Sequence, residues 1–189
     1  NSYLKADELA YIVQNSESQI LITSRSRREV AMEAAAMCPR LKLCLIVDGT
    51  GDDGNFLDYA TEVAKFPSTP IEDESLGVSM MYSSGTTGRP KGILRPLQDS
   101  APDTPLPLWG FLDGLWKYRD GMRYLSPAPL YHSAPQAAVG LTLRRGGTVI
   151  IMEHFDPEDY LRLVEKYKVT HSQLVPTMFS RMLKLPDDV

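Results

Sequence analysis

Val78-Ser79-Met80-Met81-Tyr82 runs directly into Ser83-Ser84-Gly85-Thr86-Thr87-Gly88-Arg89-Pro90-Lys91-Gly92. The first five residues read as a short apolar strand, and the rest as a loop in which four hydroxyl residues and two glycines precede a lysine. Such a backbone can curl, turn its N–H groups inward and add side-chain O–H donors. That is the composition of a phosphate cradle. Lys91 would set a mobile positive charge against the phosphates, and Pro90 limits the conformations open to the far end of the loop. A Walker A loop is excluded, because that motif needs adjacent Gly-Lys followed by Ser or Thr, and here Arg89 and Pro90 separate Gly88 from Lys91.

Outward from this loop the apolar pattern alternates between two periods. Helices are predicted at Lys5 to Asn15, Arg28 to Met37, Phe56 to Lys65, Leu108 to Tyr118, Ala134 to Arg144, Pro157 to Lys166 and Pro176 to Leu183. Strands are predicted at Gln19 to Thr23, Leu43 to Val47, Val78 to Tyr82, Tyr124 to Pro127, Gly147 to Met152 and Val169 to Val175. Strand and helix in alternation imply an α/β fold with a mostly parallel sheet flanked by helices. Residues 93–107 hold Pro96, Pro102, Pro105 and Pro107 among short polar residues, and read as a mobile Pro-rich loop. No internal repeat interrupts the order, so residues 1–189 read as one partial domain.

The 189 residues carry 20 Lys and Arg against 24 Asp and Glu, a net charge of −4, with 43% hydrophobic residues. That is enough apolar material for a core. The mild acidity and the absence of a basic run argue against a nucleic-acid or membrane-surface footprint and favour small-molecule chemistry. No apolar run reaches the roughly 18 residues of a membrane span. Cys38 and Cys44 match neither a zinc-knuckle nor a Cys-x-x-Cys spacing, and read as buried thiols of a cytoplasmic protein. His132, His154 and His171 are too scattered to indicate a local metal site. The first residue is Asn rather than Met, and the chain reads as a piece of something longer.

The loop resembles the nucleotide phosphate-binding motif of the adenylate-forming superfamily, which includes acyl-CoA synthetases, firefly-type luciferases and nonribosomal peptide adenylation domains. Further stretches narrow the likeness. Pro127-Ala128-Pro129-Leu130-Tyr131-His132 resembles the second core motif, and Gly146-Gly147-Thr148-Val149 and Phe155-Asp156-Pro157-Glu158 resemble the segments that follow it. His171 to Phe179 and Arg181 to Pro186 are similar to the bacterial acyl-CoA synthetase branch. The likeness covers essentially the whole chain, as a partial acetyl-CoA-synthetase-like N-terminal domain. Arg95-Pro96-Leu97 departs from the common pattern, and no role is carried over to residues 93–107.

What the resemblance implies is a fatty-acid–CoA ligase that uses ATP, Mg²⁺ and coenzyme A to turn a carboxylic acid into an acyl-adenylate and then a thioester. Holding a carboxylate against a polyphosphate needs fixed donors and a metal to offset the repulsion. By the same resemblance, Ser83, Ser84, Gly85, Thr86, Thr87 and Gly88 would wrap the β- and γ-phosphates, Thr86 would stand near Mg²⁺, and Lys91 would steady the leaving pyrophosphate. Tyr131 and His132 would line the acyl pocket. His171 reads equally as a pocket wall or a satisfied core residue, and the Trp109, Leu112 and Trp116 face reads as packing. The expected partners are a small carboxylic acid and a second copy of the chain, with no nucleic acid and no integral membrane segment. The family's later elements, an aromatic-Gly-x-Thr-Glu segment, a ribose-gripping Asp and a catalytic Lys, are not among these residues, so this piece alone is expected to be inactive. A non-catalytic fragment or interaction module, or an amino-acid adenylation domain, are the alternatives; the block from His171 to Pro186 favours the acyl-CoA branch.

Overall fold

Leu9, Ile12 and Val13 recur at helical spacing behind two acidic residues, and helix α1 spans Ala6–Asn15. Glu8 closes its first turn by accepting the Lys5 backbone N–H at 2.8 Å, and Asp7 and Glu8 face the positive end of the helix dipole. The computed structural model describes residues 3–50, 53–83, 88–105 and 107–186. They divide into two units, Asn1–Thr104 and Pro105–Val189.

In the first unit β1 (Ile20–Ser24) leads through a 3-10 turn at Arg25–Arg27 into α2 (Arg28–Ala36), and then to β2 (Leu43–Val47). The two strands are parallel, with Ile20 opposite Leu43 and Ser24 opposite Val47, and β3 (Leu57–Asp58) adds a third parallel strand beside β2. Ala10 and Val13 of α1 pack on Ala34 and Cys38, while Ala31, Ile46 and Phe56 make the adjoining cluster. Small residues where the two helices meet let them approach closely. After β2 the chain turns around Asp53, whose buried carboxylate accepts from Arg28 Nε at 2.9 Å and from the Thr50 backbone N–H at 2.8 Å. Asp58 then caps α3 (Tyr59–Val63) by accepting the Thr61 N–H. Two short strands, β4 (Met81–Ser83) and β5 (Lys91–Ile93), complete the unit.

The second unit is built on β6 (Arg123–Ser126), the middle of a parallel sheet ordered β7 (Thr148–Ile151), β6, β8 (His171–Ser172). Strand alternation sends successive side chains to opposite faces. Tyr124 packs with Met122 and Ala138 of α5 (Ser133–Arg144), and Leu125 packs with Met152 and with Tyr160 of α6 (Pro157–Tyr167). Both faces of β6 are thereby covered, which buries Leu125 and Tyr124 almost completely. Burial of a side chain such as Leu125 contributes about 1.5–3 kcal/mol. Asp156 caps α6 by accepting the Asp159 N–H at 2.9 Å, and Pro157 opens the helix where a missing N–H costs nothing. The unit begins with α4 (Pro107–Trp116) and ends with α7 (Pro176–Met182).

The α/β class and the parallel pairing agree with the sequence reading, and β2 has the bounds it predicts. The strand expected at Val78–Tyr82 is shorter, begins at Met81 and pairs antiparallel with β5, a strand that the apolar pattern missed. It missed β3 as well, since Leu57–Asp58 is too short to show a period. Residues 94–105 carry neither helix nor strand. Within them the Ser100 carbonyl accepts the Leu76 N–H at 2.7 Å. Among the described residues no helix is long and apolar enough to cross a membrane.

The close approach of α5 to the β6–β7 layer depends on Gly147. A Cβ there would lie 2.8 Å from Met122 Cγ and 2.9 Å from the Met122 carbonyl oxygen, which is backbone and cannot step aside. Gly147→Ala is expected to lower the unfolding free energy of the chain by about 1–3 kcal/mol, the usual range for overpacking. A urea melt that leaves the midpoint unchanged would contradict this.

Candidate functional site

The antiparallel ribbon sets Met81 opposite Ile93, Tyr82 opposite Gly92 and Ser83 opposite Lys91. The two ends of the predicted phosphate loop therefore face each other on one rung. Ser83, Gly88 and Lys91 stand in described segments, and all three are exposed. Ser84, Gly85, Thr86 and Thr87, with the metal contact expected of Thr86, lie outside the described residues. Gly88 has a φ of +88°, a left-handed backbone that favours glycine. Among the described residues no heavy atom stands within 4 Å of where its Cβ would be. A hydroxyl, a bare backbone and an ammonium at the mouth of one loop fit an anion.

The ribbon is held from two sides by tyrosines. The Tyr82 ring lies over Gly92, where an added Cβ would come within 3.0 Å of Cζ and 3.1 Å of the hydroxyl oxygen and would collide with Met80 Cε. The Tyr82 hydroxyl donates to Asn15 Oδ1 at 2.7 Å, and the Ile12 carbonyl lies 3.4 Å away. Burial pushes the Tyr82 hydroxyl above its usual pKa, so it remains a donor at neutral pH. Tyr11, one helical turn before Asn15, donates to the Pro90 carbonyl at 3.0 Å, and the Arg89 guanidinium stands over its ring at 5.2 Å from the centroid. The sequence reading gave neither tyrosine a role. Tyr82 lies in the motif itself, but nothing local marks Tyr11, whose partner is 79 residues away.

The predicted acyl-pocket residues belong to the second unit. Tyr131 and His132 sit together in the connection from β6 to α5, with ring centroids 4.4 Å apart, and both are exposed. His132 is the residue that precedes α5; its ring makes no capping bond, while its backbone N–H donates to the Pro129 carbonyl at 3.2 Å. The imidazole is thus displayed rather than consumed by the fold. His171 is the opposite case. Its Nε2 faces the Trp116 and Lys117 carbonyls at 3.2 and 3.3 Å, which only an N–H satisfies, leaving Nδ1 to pair with Thr170 Oγ1 at 2.8 Å. With Tyr118 packed edge-on at 5.1 Å, His171 is a satisfied structural residue. Trp109 lies under the Arg144 guanidinium at 4.5 Å, and Trp116 remains 37% exposed. At the carboxyl end of β6, where parallel sheets bind their ligands, the buried Ser126 Oγ has no hydrogen-bond partner among the described residues, nor does Gln173 Oε1 beyond β8. Among the described residues no group of three His, Cys, Asp or Glu is gathered for a metal ion.

The comparisons with known proteins extend over the whole of this arrangement. The model of the AMP-binding enzyme family matches residues 1–188. The medium/long-chain-fatty-acid–CoA ligase FadD8 of Mycobacterium tuberculosis is 33% identical over 135 residues, covering 69% of this chain and 23% of that protein. The N-terminal domain of FACL13 from Mycobacterium tuberculosis superposes with a TM-score of 0.77 at 23% identity, over 99% of this chain and 45% of that one. ATP-bound MatB from Rhodopseudomonas palustris does so with a TM-score of 0.68 at 26% identity, over 98% and 35%. The chain spans 23% to 34% of the length of the first curated relatives it matches. With the family model matching residues 1–188 and a fatty-acid–CoA ligase at this identity, the chain belongs to the AMP-binding enzyme family.

Proposed function

We propose that this chain is the phosphate-gripping part of an AMP-forming acid–thiol ligase that makes acyl-CoA from a carboxylic acid, with a fatty acid as the substrate class. The observation that carries this reading is the ribbon rung that sets Ser83 against Lys91 around a loop bounded by the left-handed Gly88. The family match and the fatty-acid–CoA ligase relative supply the reaction class. Both units would be parts of one nucleotide-binding domain, since the matched residues run through the two.

In the proposed reaction a carboxylate oxygen attacks the α-phosphorus of ATP, the α–β phosphoanhydride breaks, and pyrophosphate leaves. The coenzyme A thiolate then attacks the acyl carbon, and the carbon–oxygen bond to AMP breaks. Ser83, Gly88 and Lys91, with Ser84, Gly85, Thr86 and Thr87, would hold the departing phosphates. Lys91 answers the negative charge that grows on the bridging oxygen, an interaction stronger at the transition state than before it. Tyr131 and the uncommitted imidazole of His132 would flank the carboxylate. Mg²⁺, with Thr86 beside it, would ride on the triphosphate and offset its charge, in keeping with that ion's preference for phosphate over an all-protein cage. A cytoplasmic setting and a dimer of the parent remain part of the same reading.

The test is carboxylate-dependent exchange of radiolabelled pyrophosphate into ATP. The intact ligase that contains this segment is expected to exchange with medium and long aliphatic acids above aromatic ones. The 189-residue chain, which holds no aromatic-Gly-x-Thr-Glu segment, is expected to bind nucleotide without exchange. A folded intact protein that exchanges with no acid would sink the ligase reading, and exchange by the chain alone would sink the claim that it is incomplete. In the intact enzyme Lys91→Ala is expected to lower kcat/KM for ATP about 100-fold, as when a preorganised charge-stabilising donor is lost. An unchanged kcat/KM would remove Lys91 from the site.

A further inference from the structure

Tyr11 of α1 takes no part in the proposed chemistry and yet meets two consecutive residues of the loop, Arg89 and Pro90. We infer that Tyr11 is a positioning residue for the phosphate loop: by its hydroxyl on the Pro90 carbonyl and its ring under Arg89, it fixes the Lys91 end of the loop before nucleotide arrives. This rests on the proposed function, since it assumes that the loop binds phosphate.

Three observations carry it. First, the contacts are specific in direction. The Tyr11 hydroxyl meets the carbonyl of the residue immediately before Lys91 at 3.0 Å, and the ring carries the guanidinium immediately before that at 5.2 Å. In a planar trans peptide the Pro90 carbonyl and the Lys91 N–H point in opposite directions, so holding the carbonyl on α1 also fixes the direction of the Lys91 N–H. Second, the anchor is rigid. Ala10 and Val13, next to Tyr11 on α1, are buried against Ala34 and Cys38, so a pull on Tyr11 is a pull on the core. Third, the ribbon needs an anchor. It has three residue pairs, and a two-stranded ribbon of that size is marginal by itself in water. Tyr82 ties β4 to Asn15 and Ile12, whereas the Pro90 contact is the tie on the β5 side. Without it, ordering the loop would be charged to nucleotide binding, and affinity would fall by the cost of that ordering. Tyr11 touches no reacting atom.

The test uses the ¹⁵N-labelled 189-residue chain, read by amide hydrogen exchange and by titration with MgATP. Tyr11→Phe keeps the ring under Arg89 and loses the hydroxyl. Tyr11→Leu loses both. For Tyr11→Phe the expected results are faster amide exchange confined to Lys91, Gly92 and Ile93 and an ATP Kd raised about three- to tenfold, the range that one lost hydrogen bond gives. Tyr11→Leu is expected to go further in the same direction. Protection in α2 and β2 stays at the wild-type value. Equal ATP affinity in Tyr11→Phe and wild type would overturn the inference, and so would a loss of protection spread through α1 and α2, which marks a packing role only. If Tyr11→Leu does not fold, the Tyr11→Phe measurement decides alone. A wild-type chain in which saturating MgATP moves no amide of residues 88–93 would instead sink the phosphate reading of the loop, and this inference with it; wild-type binding with an indifferent Tyr11→Phe sinks the inference only.

Discussion

The Tyr82 ring lying across Gly92 is the contact on which the candidate site depends. A side chain at position 92 would have to share space with Cζ and the hydroxyl oxygen of that ring, so the glycine is what allows the ring to cross the ribbon. With the ring in place the Tyr82 hydroxyl reaches Asn15 and the end of α1. The ribbon is then fastened to a packed helix instead of relying on three rungs of its own. Close backbone approach at a strand glycine covered by an aromatic ring is a recurrent way to pin register. Slipping β5 by one residue would put Lys91 or Ile93 under the ring and move the Ser83–Lys91 rung with it.

The dependence continues inward by small steps. Helix α1 is placed by Ala10 and Val13 against Ala34 and Cys38, and α2 is placed by Ala31 against Ile46 of β2. At each stage the contacting side chain is short, which leaves little room for the helix to rock. The Asp53 carboxylate, almost fully buried and paired with Arg28 and the Thr50 N–H, fixes the turn after β2. Breaking such a buried pair is far more costly than its net contribution suggests. The candidate ribbon thus inherits its position from a parallel sheet to which it does not belong.

Much of this was legible in the sequence, and the part that was not has a common cause. Helices α1 and α6 and strand β2 were readable because each carries a full period of apolar residues with caps or breakers at its ends, such as Asp156 and Pro157 before α6. The string from Ser83 to Lys91 reads as a phosphate loop because phosphate binding by backbone calls for glycine and hydroxyl residues in an unbroken run, and of it the structure describes Ser83 and Gly88 to Lys91. Strand β5 was not, since Lys91-Gly92-Ile93 has no apolar alternation and is a strand only because β4 lies beside it. His171 could not be decided from its strand pattern. Its role is set by the Trp116 and Lys117 carbonyls more than fifty residues away. Tyr11 was unreadable for the same reason, because helical spacing accounts for its neighbours but not for a hydroxyl that meets Pro90.

This division between local and distant information follows from how the site is made. Backbone N–H groups grip a phosphate only when several peptide planes point to one place, and their interaction with the anion falls off within ångströms. Composition can supply the donors, but it cannot orient them. Orientation has to come from contacts outside the loop, and here they come from residues 67 and 79 positions earlier in the chain. A relative that keeps every letter from Ser83 to Lys91 can therefore still differ in nucleotide affinity through changes on α1. In the second unit the same logic leaves His132 with an unused ring beside Tyr131, while His171 spends both nitrogens on the fold. The motif says which chemistry a segment can perform, and the packing around it determines whether the donors are aimed to perform it.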